Sequence, residues 1–140
     1  MSRLNPILAP TLLVLFSAAT AVLALDFQPG KWQITSKVEM PGMPVPMPPV
    51  TVTQCMTEQE PVPAKSAQGQ ACEVSEMNTQ GNTVSWKMKC SDPSGGSEGS
   101  GHITYHGDTF SGSIETKVGG TGGGMVVTTQ LSGKRLGNCD

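Results

Sequence analysis

From Lys31 onward, apolar residues recur at every second position in short runs separated by clusters of Gly, Pro, Asn and Asp. No stretch of useful length follows the 3.6-residue period of an amphipathic helix. The pattern predicts an antiparallel all-β domain. A first strand spans Lys31 to Glu39, with Trp32, Ile34 and Val38 on one face. Residues 40–49 (MPGMPVPMPP) cannot pair as a strand, because proline removes amide donors and fixes φ, so they predict an exposed, polyproline-like loop. Val50 to Gln54 resumes as a short strand. Thr57 to Gln70 is polar and broken by Pro61 and Pro63, and leaves room for at most one helical turn over Thr57–Glu60.

The next hairpin is the clearest in the chain. Folding about Gly81 sets Cys72 opposite Cys90, Val74 opposite Met88, Glu76 opposite Trp86 and Asn78 opposite Val84. One register thus aligns an apolar face and two cysteines, and a single-residue slip would lose both. Residues 91–101 (SDPSGGSEGSG) read as a flexible Gly/Ser-rich loop. A third hairpin turns at Gly107-Asp108, pairing Tyr105 with Phe110 and Ile103 with Gly112. A fourth turns through Gly119–Gly124, pairing Val118 with Met125, Thr116 with Val127, Ile114 with Thr129 and Gly112 with Leu131. The sum is a meander of about seven strands, curled into a half-barrel or a small sandwich, with Gly112 and Gly133 where a strongly curved sheet needs them.

The N-terminus changes the picture of where this domain works. Arg3 is followed by an uncharged apolar run, Leu12–Phe16, then small residues, and Val22-Leu23-Ala24 fits a signal peptidase site. Residues 1–24 therefore read as a cleavable signal peptide and residues 25–140 as one β domain. A retained membrane anchor is the alternative, since Ile7 to Leu25 carries no charge. Pro10 and the Ala/Ser/Thr-rich second half argue for cleavage. The expected location is periplasmic or secreted, with no transmembrane segment after processing.

Export makes disulfides available, and a domain with only Phe27, Trp32, Trp86, Tyr105 and Phe110 as aromatics has use for them. Four cysteines allow three connectivities. The hairpin register favours Cys72–Cys90, which leaves Cys55 with Cys139, each bridge contributing roughly 2–4 kcal/mol. No C-x-x-C occurs and the spacings match no zinc pattern, so the cysteines read as scaffold.

Candidate chemistry is sparse. A formal net charge of −2, with no basic run beyond Lys134-Arg135, argues against nucleic acid or an anionic membrane surface as the main partner. Met40, Met43 and Met47 lie in the Pro-rich loop, where three thioethers would suit Cu(I) or, equally, would form an adaptable apolar patch. His102 and His106 are four residues apart on one strand, about 13 Å, too far to chelate together. Gly95–Gly99 matches a G-x-S-x-G elbow in letters only, with no helix to follow it. The expectation is a non-enzymatic binding or accessory domain with no cofactor. Trp32, Trp86, Tyr105 and Phe110 would line a concave face for a small amphiphile or an envelope protein partner. Copper handling by the Met loop and assembly through a sheet edge are the alternatives.

Several features occur as an ordered series: Pro29-Gly30-Lys31-Trp32, MPGMPVPMPP from Met40, Thr51–Thr57 around Cys55, the Gly81–Trp86 hairpin between Cys72 and Cys90, and Gly133–Cys139. The series resembles the bacterial envelope family catalogued as domain of unknown function number 3617, over essentially all of the chain after the leader. The resemblance implies a signal peptide, a Gram-negative envelope setting and a β-rich fold. It implies no activity and no catalytic residues.

Overall fold

The computed structural model describes residues 24–43, 45, 47–64, 72–91, 96–118 and 124–140. Apart from Ala24, the expected signal peptide lies outside these residues, as does the Gly119–Gly123 part of the fourth turn. Seven strands form: β1 Gly30–Glu39, β2 Val50–Met56, β3 Cys72–Gln80, β4 Thr83–Cys90, β5 Ser97–His106, β6 Thr109–Val118 and β7 Met125–Gly137. All pair antiparallel in one open sheet of order β2-β1-β7-β6-β5-β4-β3. Five strands, β3 to β7, are a meander. The β1–β2 hairpin joins its far side, where β1 pairs with β7 from Lys31↔Gly137 to Glu39↔Thr128. The sheet curls so that β2 and β4 wall the same cavity, which gives the half-barrel rather than the sandwich.

Local hairpins follow the alternation. Tyr105↔Phe110, Ile103↔Gly112 and the whole series from Val118↔Met125 to Gly112↔Leu131 are in the expected registers. Gly112 and Gly133 sit at points of close approach. A Cβ on Gly133 would lie 2.1 Å from Phe110 Cε1, and one on Gly112 would lie 2.0 Å from the His102 carbonyl oxygen. None of the described residues between Met40 and Pro49 belongs to a strand, in keeping with the prolines there.

Two expectations fail for physical reasons. The Cys72–Gln80 strand keeps Cys72↔Cys90 and Val74↔Met88, but Glu76 and Met77 together oppose Trp86, and Asn78 then meets Ser85. The expected pairs Glu76–Trp86 and Asn78–Val84 are therefore absent. A continuous register would bury the Glu76 carboxylate against Trp86. The bulge turns it outward at φ +48°, where it lies 2.7 Å from Lys87 Nζ.

Secondly, residues 97–101 are not loop but the first half of β5, paired on both sides. Glycine is needed there, since a Cβ on Gly101 would stand 2.6 Å from the Trp86 ring. Thr57–Glu60 makes no more than the one turn expected of it, with Glu60 N donating to the Thr57 carbonyl at 3.1 Å. Pro61, Val62 and Pro63 are buried, with Val62 in the core.

That segment seals one end of the half-barrel. Trp32, Tyr105 and Phe110 pack there with ring centroids 5.5–5.7 Å apart, and Phe27 stands 4.9 Å from Tyr105. The Tyr105 hydroxyl donates to the Pro61 carbonyl, and Trp32 Nε1 donates to the Gln28 carbonyl at 3.1 Å. Ile34, Met56, Val84, Trp86, Met88, Ile103 and Leu131 complete the buried cluster. Cys72–Cys90 and Cys55–Cys139 are bonded pairs with Cα separations of 4.3 and 5.7 Å. The Arg135 guanidinium ties the tails together through the Pro29 carbonyl at 2.9 Å and Asn138 Oδ1 at 2.8 Å.

Two measurements test this packing. Gly133→Ala forces a methyl into the Phe110 ring and is expected to lower the unfolding free energy by about 2 kcal/mol. Urea titration should show a lower midpoint at unchanged slope. Burial drives the Tyr105 phenol well above its usual range, whereas in the unfolded chain it ionises near pH 10. The unfolded state thus loses a proton that the native state keeps, so stability is unaffected below that pH and falls as pH rises beyond it. Tyr105 is the sole tyrosine. Tyrosinate absorbance should therefore appear only with loss of structure in an alkaline titration.

Candidate functional site

Along the concave face, side chains from one end to the other change from large to small. At the sealed end the four large aromatics fill the curl. Towards the opposite end, valines, threonines and serines take the inward positions, and an opening remains. This cavity measures about 280 Å³. Ile34 and Val38 of β1, Val50 and Val52 of β2, Ile114 and Val118 of β6, and Val127 and Leu131 of β7 form most of its wall, with Met88 and Pro63 beside them. Pro63 is there because the buried residues 61–63 lie inside the curl.

The polar groups facing the cavity are uncharged: Ser36, Gln54, Ser97, Thr116 and Thr129. No ionisable side chain among the described residues lines it. Gln54 stands opposite Trp32 at the deep end of the cavity. Its Oε1 is buried with no hydrogen-bond partner among the described residues. Such an acceptor costs about 1–3 kcal/mol while unsatisfied. The arrangement offers apolar contact, four hydroxyl groups and, in Gln54 Oε1, one acceptor without a partner among the described residues.

The aromatics expected to line a ligand face do not reach it. Trp32 and Tyr105 are fully buried and Trp86 and Phe110 are 2 % exposed, so all four are structural core. Their alternation with polar residues identified the inward face but not which half of that face is filled. The lining residues are small β-branched and hydroxyl side chains that carried no separate signal in the sequence.

Met40, Met43 and Met47 do come together. With Val38 and Val45 they surround a shallow depression of about 260 Å³ on the β1–β2 loop, beside the mouth of the main cavity. Among the described residues no group of three or more His, Cys, Asp or Glu is arranged to hold a metal ion. His102 and His106 are exposed on β5, and Ser97 of the Gly95–Gly99 motif is an ordinary strand residue. On the convex side Lys89 and Glu98, 3.4 Å apart, form an exposed pair of the kind worth little. The sheet has two edges. That of β3 is interrupted by the Glu76 bulge, and that of β2 is seven residues long and uncharged.

No helix among the described residues is long and apolar enough to cross a membrane. Two disulfides are the chemistry of an oxidising, non-cytoplasmic compartment. No curated protein and no solved structure matches the chain. Residues 27–139 match the family described as "Protein of unknown function (DUF3617)", a span that takes in all seven strands, both disulfides and the cavity. The chain thus belongs to the domain of unknown function 3617 family.

Proposed function

We propose that this protein is an exported, non-enzymatic binding domain of the bacterial envelope, and that its half-barrel holds one small amphiphile. The observation that carries this reading is the cavity of about 280 Å³, open at one end, uncharged and largely apolar among the described residues, and ending on Gln54 Oε1, which has no hydrogen-bond partner among them. Ligand sites combine apolar walls with a few placed polar groups, and this volume lies at the small end of their range. It suits a single aliphatic chain or one small ring system rather than a nucleotide cofactor. The occupant carries a hydrogen-bond donor, because the deep polar group is an acceptor. The leader-like residues 1–24 and the two disulfides support a periplasmic or secreted location.

N-phenyl-1-naphthylamine, neutral and apolar with one N–H, is a suitable probe. Its fluorescence should rise saturably with one probe per protein and fall on addition of decanol. Val127→Trp, which fills the cavity from β7, is expected to weaken binding at least about tenfold. Gln54→Leu should weaken decanol severalfold, roughly the worth of one hydrogen bond, and leave a hydrocarbon competitor unaffected. Unsaturable fluorescence, or equal binding by Val127→Trp, would refute the site.

A second reading is favoured by one observation, the gathering of Met40, Met43 and Met47 around a common depression. Thioethers select Cu(I). Titration with Cu(I) under reductant should then give a dissociation constant below about micromolar that is lost in Met43→Leu. Weaker binding, or binding unchanged in that variant, rejects copper.

A further inference from the structure

The mouth of the cavity is built unlike the rest of the surface. Of the nine large hydrophobic side chains exposed among the described residues, seven lie on two hairpin ends: Met43, Val45, Met47 and Val50 between β1 and β2, and Val118, Met125 and Val126 between β6 and β7. Val45 is 69 % and Met125 54 % exposed. Pairing of Glu39 with Thr128 sets the two ends side by side, and Val50 and Val118 belong both to this rim and to the cavity wall. The apolar interior is therefore continuous with the apolar exterior.

Charge is absent over the same stretches. No charged residue occurs from Met40 to Thr57 or from Val118 to Gly133, although Asp, Glu, Lys and Arg are spread through the remainder of the chain. Lys37, paired with Glu39 at 3.6 Å, and Lys117 flank the rim on the outer side of the sheet. Long lysine side chains at that level reach a headgroup layer while their stems cover apolar surface.

We propose that these two hairpin ends insert into the interfacial layer of a lipid bilayer, so that the cavity opens into the membrane. The proposal rests on the reading of the cavity as an amphiphile site. A protein covering the rim would stopper the mouth, whereas a bilayer is both uncharged at the depth of the rim and a reservoir of amphiphiles. Binding of this kind is driven by buried apolar area and depends little on salt.

The test is co-flotation of the full folded protein with phosphatidylcholine vesicles, with and without added phosphatidylglycerol, at low and high salt. Binding to the neutral vesicles that persists at high salt is expected. Val45→Asp combined with Val126→Asp should lower the partition coefficient by roughly a hundredfold or more. Leu136→Asp, the same change at an exposed position of the opposite end, should leave it unaltered. Each variant is checked by urea unfolding and by N-phenyl-1-naphthylamine binding in solution. The rim variant should keep its affinity for the probe. Lack of flotation, flotation abolished by salt, or equal flotation of the rim variant overturns membrane insertion. So does loss of a concentration-dependent oligomer in the rim variant without any vesicle binding, which would assign the rim to a second copy. Flotation without probe binding would retain the membrane surface and reject the cavity.

Discussion

The chain leaves β2 on one edge of the sheet and re-enters as β3 on the other, so the stretch between them has to cross a face. Its described part turns inward at residues 61–63. Pro61, Val62 and Pro63 lie buried in the curl, the Pro61 carbonyl accepts from the Tyr105 hydroxyl, and the Ala64 carbonyl accepts from Cys72 N at 3.1 Å as β3 begins. A polar backbone can be laid inside a core only where its groups find partners. Prolines ease this because they bring no amide hydrogen. Pro61 lies against the filled half of the concave face, at Tyr105, and Pro63 lines the empty half.

The filled half carries the stability. Eleven hydrophobic side chains among the described residues are buried, and the aromatic contacts around Trp32 and Tyr105 are each worth about 0.5–1.5 kcal/mol beyond their area. The bridges reinforce it from outside. Cys55–Cys139 spans 84 residues and ties β2 to the tail beyond β7, while Cys72–Cys90 secures the first pair of the bulged edge hairpin. A small domain that leaves part of its concave face unfilled forgoes burial there, and cross-links are one way to offset the loss.

What was legible in the sequence was what is local. The turns at Gly107-Asp108 and between Val118 and Met125 fix their strands residue by residue, because a hairpin's register is set by its own turn and alternation. Alternation also picked the inward face. Three things depended on neighbours remote in sequence. Ser97–Gly101 looks like a linker until the Trp86 ring is placed against Gly101. Glu76 breaks its strand because the position it would occupy is core. Val62 sits among polar residues and prolines and is apolar core only because residues 61–63 turn inward. Of the candidate site, the methionines of the β1–β2 loop were visible as a group. The cavity was not, since its walls come from β1, β2, β6 and β7 and exist only once β1 lies beside β7.

That last pairing has a consequence for the order of assembly. Ser36 meets Leu131 and Val38 meets Thr129, so the strand that comes last in the chain is third from one edge of the sheet and joins two blocks made earlier. During synthesis β1–β2 can form a hairpin and β3–β6 a small meander, yet neither has a neighbour across the gap until β7 arrives. Contacts this distant in sequence form slowly. The inside of the half-barrel therefore stays open to any chaperone or ligand until the final strand is in place, and the domain has no intermediate length at which it is nearly complete.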